Sequence, residues 1–413
     1  MLTDVGIVAA FISLGIAAYA GRRNGGSAIF YIMLAIYHML FCFIFYNETL
    51  YTTSDANYYY DFGAFIGEGP LISASLIIEM ATVFREALGA TFLDEFFIFQ
   101  IFGLIGIILI LKTMGIVGAG FSERQKLIFP IVAFSPALNF FTVAIGKDAP
   151  FLMALGLICR GLSRSGKQYP YVITGLAIAF LVRPHIGILY AVSVIATTFF
   201  SARVALGARV IVLVSGAICT LFASMFFLSW MGIEEVNSES LAGTIDKFGT
   251  ANNAAGSAIN LEGLIFPARV AAFLFLPFFF DASSVTAIIL SIDNLIILCL
   301  FIYCVYNIRL LWSVSARLWT VPFGVIMFTI VTIMLTYTCT NSGLAARQKL
   351  MVTPILPILY CVANAASNPR RAPVPKGRLQ ELVPGATERP RHRAPATLST
   401  FSAGADLFRR RKT

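Results

Sequence analysis

Apolar residues gather in long unbroken runs separated by short polar turns, near 5–20, 28–46, 94–115, 126–144, 148–162, 170–184, 186–200, 209–231, 285–306, 319–338 and 349–365. Several exceed the roughly 18 apolar residues that cross a bilayer as a helix. The pattern predicts an all-α polytopic membrane protein with about eleven transmembrane helices. The first run follows no basic residue and lacks a small-residue cleavage site, so it is expected to be a retained span. An odd number of spans puts the termini on opposite sides. The basic residues then orient the bundle, because cytoplasmic loops retain Lys and Arg. With the N-terminus outside and the C-terminus cytoplasmic, 23 Lys/Arg fall inside. Only Arg85, Lys147, Arg183, Lys247, Arg269, Arg347 and Lys349 remain outside.

Two outer segments are longer than a turn. Residues 47–93 contain YNETLYTTSDANYYYDFGAF and then LISASLIIEMATVFREALGATF, whose apolar positions recur at helical spacing. That second part predicts an amphipathic helix along the membrane surface. Residues 232–284 begin Gly/Asn/Ala-rich, as a loop over a site would. They end in ARVAAFLFLPFFFDAS, too short to cross and interrupted by Pro277, which predicts an interfacial or re-entrant piece.

Composition sharpens this picture in one respect. The chain is 58% hydrophobic and 12% charged, with a mean hydropathy of +0.83 and a net charge of +9. From Ala366 onward there are 11 Lys/Arg against 3 Asp/Glu, so the membrane body (1–365) is nearly neutral. The Pro/Arg-rich tail, 366–413, is expected to be disordered and to meet anionic inner-leaflet lipid; no nucleic-acid partner is expected. The seven cysteines show no CxxC spacing and read as small apolar residues. With three histidines in all, a histidine-built metal site is not expected, and His38 reads as a core residue.

Candidate chemistry comes from polar residues that interrupt apolar sequence. Asp55 and Asp61 flank Tyr58, Tyr59 and Tyr60 just beyond the second span. A carboxylate there can stay ionised, bind a cation or take a proton from a hydroxyl, and tyrosines can stack on a sugar. The plainer reading is an interfacial aromatic belt. Lys147 and Asp148 open a helix in GKDAP, a place suited to an anion or to an ion pair closing a hairpin. Arg183 with His185 in RPH, Arg347 with Lys349 in ARQK, and Arg269 add cations on the same predicted face. Each alone could be a snorkelling anchor. Together, on the face where positive charge is depleted, they point to a shared anionic ligand such as a phosphate. Asp293, inside a span, is a functional candidate or the member of a polar network with Asn294.

These residues carry a resemblance. Two spans followed by Asp55-Ala56-Asn57-Tyr58-Tyr59-Tyr60-Asp61-Phe62 resemble the start of bacterial Wzy-type exopolysaccharide polymerases, where D-x-x-N-Y-x-x-x-F follows the second span. Here the asparagine comes one position earlier. S-D-A-x-x-Y, G-K-D-x-P and R-P-H also resemble GT-C-superfamily membrane glycosyltransferases. The resemblance implies a multi-pass protein of the bacterial inner (plasma) membrane with a periplasmic amphipathic helix. It implies transfer of sugar from a polyprenyl-(pyro)phosphate-linked donor on the outer face, with Asp55 and Asp61 as the catalytic carboxylates. Lys147, Arg183, His185, Arg269, Arg347 and Lys349 would then bind phosphate, and Tyr58, Tyr59 and Tyr60 sugar. Asp55 with Asp61 could hold Mg²⁺ or Mn²⁺. The competing class is transport: a lipid-linked oligosaccharide flippase or an ion-coupled carrier lined by Asp293, Lys147 and Arg183.

Overall fold

The computed structural model describes residues 2–23, 27–52, 54–61, 71–118, 121–163, 168–200, 205–230, 264–280, 285–339 and 342–367. Chain contacts divide the protein into Met1–Ala372 and Pro373–Thr413, close to the predicted start of the tail. The tail beyond Ser367 and the Gly/Asn/Ala-rich stretch of the second outer loop lie outside the described residues.

Every regular element among the described residues is helical. Among the described residues six helices are long and apolar enough to cross a membrane: α1 (Asp4–Arg23), α2 (Ala28–Thr49), α5 (Phe92–Val117), α12 (Leu206–Trp230), α14 (Val285–Tyr306) and α16 (Thr320–Thr338). A seventh arises if Gly343–Met351 and Ile355–Ser367, bent by 49°, count as one broken span. Those segments contain α17 (Ser342–Gln348) and α18 (Ile355–Ser367). The chain is therefore an α-helical, multi-pass membrane protein.

The other predicted runs form shorter helices, and the chain's own breakers explain why. The fourth run splits at Phe134-Ser135 into α7 (Ile128–Ala133) and α8 (Pro136–Phe141), after the single turn α6 (Glu123–Lys126). Ser135 caps α8 by accepting the Leu138 amide, and Pro136 opens its first turn. Then follow α9 (Asp148–Leu162), α10 (Tyr169–Val182) and α11 (Pro184–Thr197), of 15, 14 and 14 residues. At 1.5 Å per residue each reaches only ~22 Å, short of the ~30 Å hydrocarbon layer. Hydropathy counts apolar residues, whereas Arg183-Pro184 turns the chain before a full crossing helix accumulates.

The expected amphipathic helix is α4 (Ala74–Leu88), which buries Ile77, Ile78, Ala81 and Thr82. Gly89 ends it at φ 68, a left-handed conformation that a Cβ would penalise. Close after it, Thr91 and Asp94 form a capping box at the start of α5. The Asp94 carboxylate also accepts the Thr3 amide at 2.8 Å and hydroxyl at 2.7 Å, tying the chain's beginning to α5. The expected re-entrant piece contains α13 (Phe266–Phe275), too short to cross. The connecting turn α15 (Ile308–Val314) follows α14.

The core is a sandwich of α5, α9 and α10, with α1 and α2 on one flank of α5 and α11, α16 and α18 closing the other. Between helices in lipid there is no hydrophobic drive to associate, so close packing of small residues carries the contact. At the α5–α9 crossing a Cβ on Gly106 would lie 2.8 Å from the Met153 amide nitrogen, and one on Gly156 3.0 Å from the Gly106 carbonyl. A second, smaller core joins α3 (Asp55–Asp61), α4 and the start of α5 through Tyr59, Ile77, Ala81, Phe96 and Phe97.

Candidate functional site

The site is built where four turns meet. The first joins α2 to α3. Ser54 donates its hydroxyl to Asn57 Oδ1 at 2.7 Å, its amide reaches the same oxygen, and Asn57 Nδ2 donates to the Thr49 carbonyl. Asn57 thus fastens the first turn of α3, so the motif's asparagine positions Asp55. Tyr59 anchors the helix in the small core, leaving Asp55 about half exposed.

The second turn is Gly146-Lys147-Asp148 at the start of α9, the third Arg183 between α10 and α11, and the fourth Arg347 near the end of α17. Asp148, 8% exposed, accepts from Arg183 Nη2 at 2.6 Å on one oxygen and from Arg347 Nε on the other. Arg347 Nη1 reaches on to Asp55 Oδ2 at 2.5 Å. Asp55, Arg347, Asp148 and Arg183 therefore form one chain of alternating charge drawn from four elements. The sequence separations of 35, 199 and 292 residues make this a tertiary contact rather than a local pairing. Such charge-assisted, multiply bonded pairs are geometrically specific.

Lys147 stands beside this chain and donates to Ser73 Oγ at 3.0 Å. Ser73 holds a left-handed φ of 59, rare for a residue with a Cβ, while its amide donates to the Leu181 carbonyl at 2.7 Å. The start of α4 is thereby pinned to the end of α10. Burial and then the neighbouring Arg183 push the Lys147 amine down to about 8. Burial and then the Asp55 carboxylate raise the Tyr59 hydroxyl above its ordinary value. His185 sits close to Arg183 and Lys147.

A cavity of about 540 Å³ opens against this charge chain, within the range that holds small ligands. Its wall is of two kinds. Phe45, Phe140, Phe141 and Tyr58 supply rings; Glu48, Thr49, Thr52, Ser54, Asp55, Asp148 and Arg347 supply polar groups. The rings offer faces to an apolar or sugar-like guest, while the polar side is acidic with a single cation in the lining itself.

Of the residues singled out in the sequence, Asp55, Lys147, Asp148, Arg183, His185 and Arg347 come together, with Tyr58 in the cavity wall and Tyr59 beneath. Others take different places. Tyr60 packs its ring on Phe92 and lies under the Arg85 guanidinium, whose Nη1 bonds the Tyr60 carbonyl. Asp61 closes α3 on an exposed position. It is six residues from Asp55, ~9 Å along the axis and on a different face, so the two carboxylates do not converge on one ion. Among the described residues no group of three or more His, Cys, Asp or Glu is spaced to hold a metal. Arg269 donates to the Tyr337 and Cys339 carbonyls at 3.3 Å. Lys349, 2% exposed, donates to Asn294 Oδ1 at 2.6 Å and the Leu276 carbonyl at 2.8 Å, in a separate polar cluster with Asp293. His38 is a core residue, as expected, bonded through Nδ1 to Asn139 at 3.0 Å.

Sequence reading passed over Glu48, Thr49 and Thr52. They close a hydrophobic helix with the polar residues any helix end carries, and only the cavity distinguishes them. Asp148 stands at the start of α9, where its carboxylate gathers two guanidinium groups. No family model, no curated protein and no solved structure matches this chain.

Proposed function

We propose that the protein is a GT-C/Wzy-like membrane glycosyltransferase or polysaccharide polymerase that takes sugar from a polyprenyl-(pyro)phosphate-linked donor. The finer membrane reading belongs to the same proposal. The chain lies in a bacterial inner membrane, with its N-terminus outside and the Asp55 site periplasmic. The observation that carries the proposal is the convergence of Asp55, Arg347, Asp148 and Arg183 at a cavity walled by aromatic rings. Turns separated by an even number of predicted spans supply these residues, as one common face requires.

The chemistry follows from the charges. Asp55 is held by Arg347, so a donor phosphate entering the cavity competes with Asp55 for that guanidinium. Arg183 Nε, buried with no acceptor, and the Lys147 amine add donors nearby. Once phosphate takes Arg347, the Asp55 carboxylate is free to accept the proton of an acceptor hydroxyl. That oxygen attacks the anomeric carbon, the carbon–oxygen bond to phosphate breaks, and its electron pair leaves on the phosphate. Cations placed beforehand stabilise that leaving charge. Tyr58, Phe140 and Phe141 provide the stacking faces a sugar uses.

A flippase or carrier needs one path across the bundle. The described cavities instead are separate: the 540 Å³ cavity shares no lining residue with the small one near Asp293. The test is Asp55→Asn, assayed for glycan or polymer product with insertion checked by thermal unfolding in detergent. The expected result is product lowered at least 100-fold in a protein of unchanged stability. Normal product from the stable variant removes the catalytic role.

A further inference from the structure

A second polar place in the bundle is unused by the reaction above. Asp293 on α14 is 3% exposed, about a third of the way along a candidate span. One carboxylate oxygen accepts the Ala137 amide at the start of α8. The other, Oδ1, completes no hydrogen bond, although the Ser135 hydroxyl lies close to the carboxylate. A carboxylate half-satisfied in an apolar interior is costly if it stays ionised and unpaired. The Lys349 charge acts on the carboxylate without bonding to it. Lys349 is turned onto Asn294 and the Leu274 and Leu276 carbonyls, and makes no ion pair with Asp293 among the described residues.

Asp293 lines a cavity of about 60 Å³ with Ser135, Ala137, Thr353, Pro354 and apolar side chains. That volume exceeds the roughly 10–15 Å³ that one water needs, yet is far too small for a sugar or lipid headgroup. The cavity also lies where two helices break. Ser135 stands in the gap between α7 and α8, and Thr353 and Pro354 in the bend between α17 and α18. Non-helical backbone at membrane depth persists where it is buried in protein or lines a water-filled cavity, and paired helix breaks are where small cations are coordinated by hydroxyls and carbonyls.

The geometry points to a monovalent alkali-cation site formed by Asp293, Ser135 and Thr353 at the junction of the two broken helices. Charge selects the guest. A single carboxylate neutralises one positive charge, whereas the hard divalent cations gather more oxygen ligands than one carboxylate in so small a space allows. Bound cation would complete Asp293 and tie α8, α14 and the α17–α18 bend together. Because Arg347 lies on α17, occupancy at this site bears on the loop that delivers Arg347 to Asp55. The site itself does not depend on what the Asp55 cavity does.

The experiment uses the full-length protein purified in detergent without sodium, titrated with NaCl against choline chloride at constant ionic strength. Expected are radiosodium binding that saturates at one ion per chain and a saturable rise of roughly 3 °C in the unfolding midpoint. Asp293→Asn should abolish both. Thr353→Val, a milder change, should weaken sodium affinity about tenfold in a folded protein, which keeps the test meaningful if Asp293→Asn does not fold. No saturable binding of Na⁺, Li⁺ or K⁺ to the wild type would overturn the site. So would equal binding by the wild type and Thr353→Val together with either equal binding by, or misfolding of, Asp293→Asn. Loss of glycan product in Asp55→Asn with sodium binding intact separates this inference from the proposed reaction.

Discussion

Lys147 shows how one residue links sequence, burial and proton chemistry. Its amine is drawn down to about 8 by burial and by Arg183, below the ordinary lysine value. The folded protein therefore binds this proton less tightly than the unfolded chain does. Between about pH 8 and the unfolded value near 10.4 the unfolded state carries the extra proton, so this group's contribution to stability rises with pH there. Phosphate binding runs the other way, because only the charged amine attracts the donor. Donor affinity is expected to fall as pH rises through about 8, and Lys147→Arg, charged throughout, should lose that alkaline limb. Donor binding measured from pH 6.5 to 9.5 in both proteins checks this; identical profiles would remove Lys147 from the phosphate site. The same residue scale shows what was legible. Asp55, Arg183 and Arg347 were readable because charge in apolar sequence is expensive and rarely idle. Lys349 looked equivalent to Arg347, but two residues along a helical turn point to different sides. One reaches Asp148 and Asp55, the other Asn294.

At the scale of elements, the sequence reported length better than geometry. Runs that lack proline within or beside them, such as those of α1, α2 and α14, became full-length helices. Runs bounded by Ser135-Pro136 and Arg183-Pro184 became short ones, and those breakers supply the turns on which the charge chain is assembled. The amphipathic α4 was legible from periodicity alone, since its buried positions repeat at three and four residues. What could not be read was which helices touch. That depends on close approach, as at Gly106, where an added Cβ would lie 2.8 Å from a backbone nitrogen and 2.9 Å from a backbone carbon of α9. Backbone cannot rotate aside, so Gly106→Ala should lower stability by about 1–3 kcal/mol and shift α9, with Asp148 at its start. Gly15 on α1 has nothing within 4 Å of such a Cβ. Gly15→Ala should be neutral or stabilising by up to ~1 kcal/mol. Thermal unfolding of the pair in detergent compares them directly, and equal effects would show that the α5–α9 contact is not the tight point.

For the whole molecule the decisive property is the side of the membrane on which the charge chain lies. The coordinates bring the turns at Asp55, Asp148, Arg183 and Arg347 to one place. Contacts alone carry no inside or outside; the basic residues do. On the proposed topology, with Lys and Arg retained in the cytoplasm, the turn after α2 faces outward and the end of α14 inward. Tyr51 and Tyr306 report those two places, being 81% and 87% exposed. In a protein whose seven cysteines are replaced, Tyr51→Cys should react with a membrane-impermeant maleimide in intact cells, and Tyr306→Cys only after the membrane is opened. The reverse outcome would turn the Asp55 cavity toward the cytoplasm, where nucleotide-activated sugars are present. A lipid-linked donor would then no longer follow from where the site faces. The outer face supplies no soluble activated sugar, so under the proposed function a cavity there takes its donor from the lipid itself. Rings for the sugar beside guanidinium groups for the phosphate are what such a donor requires.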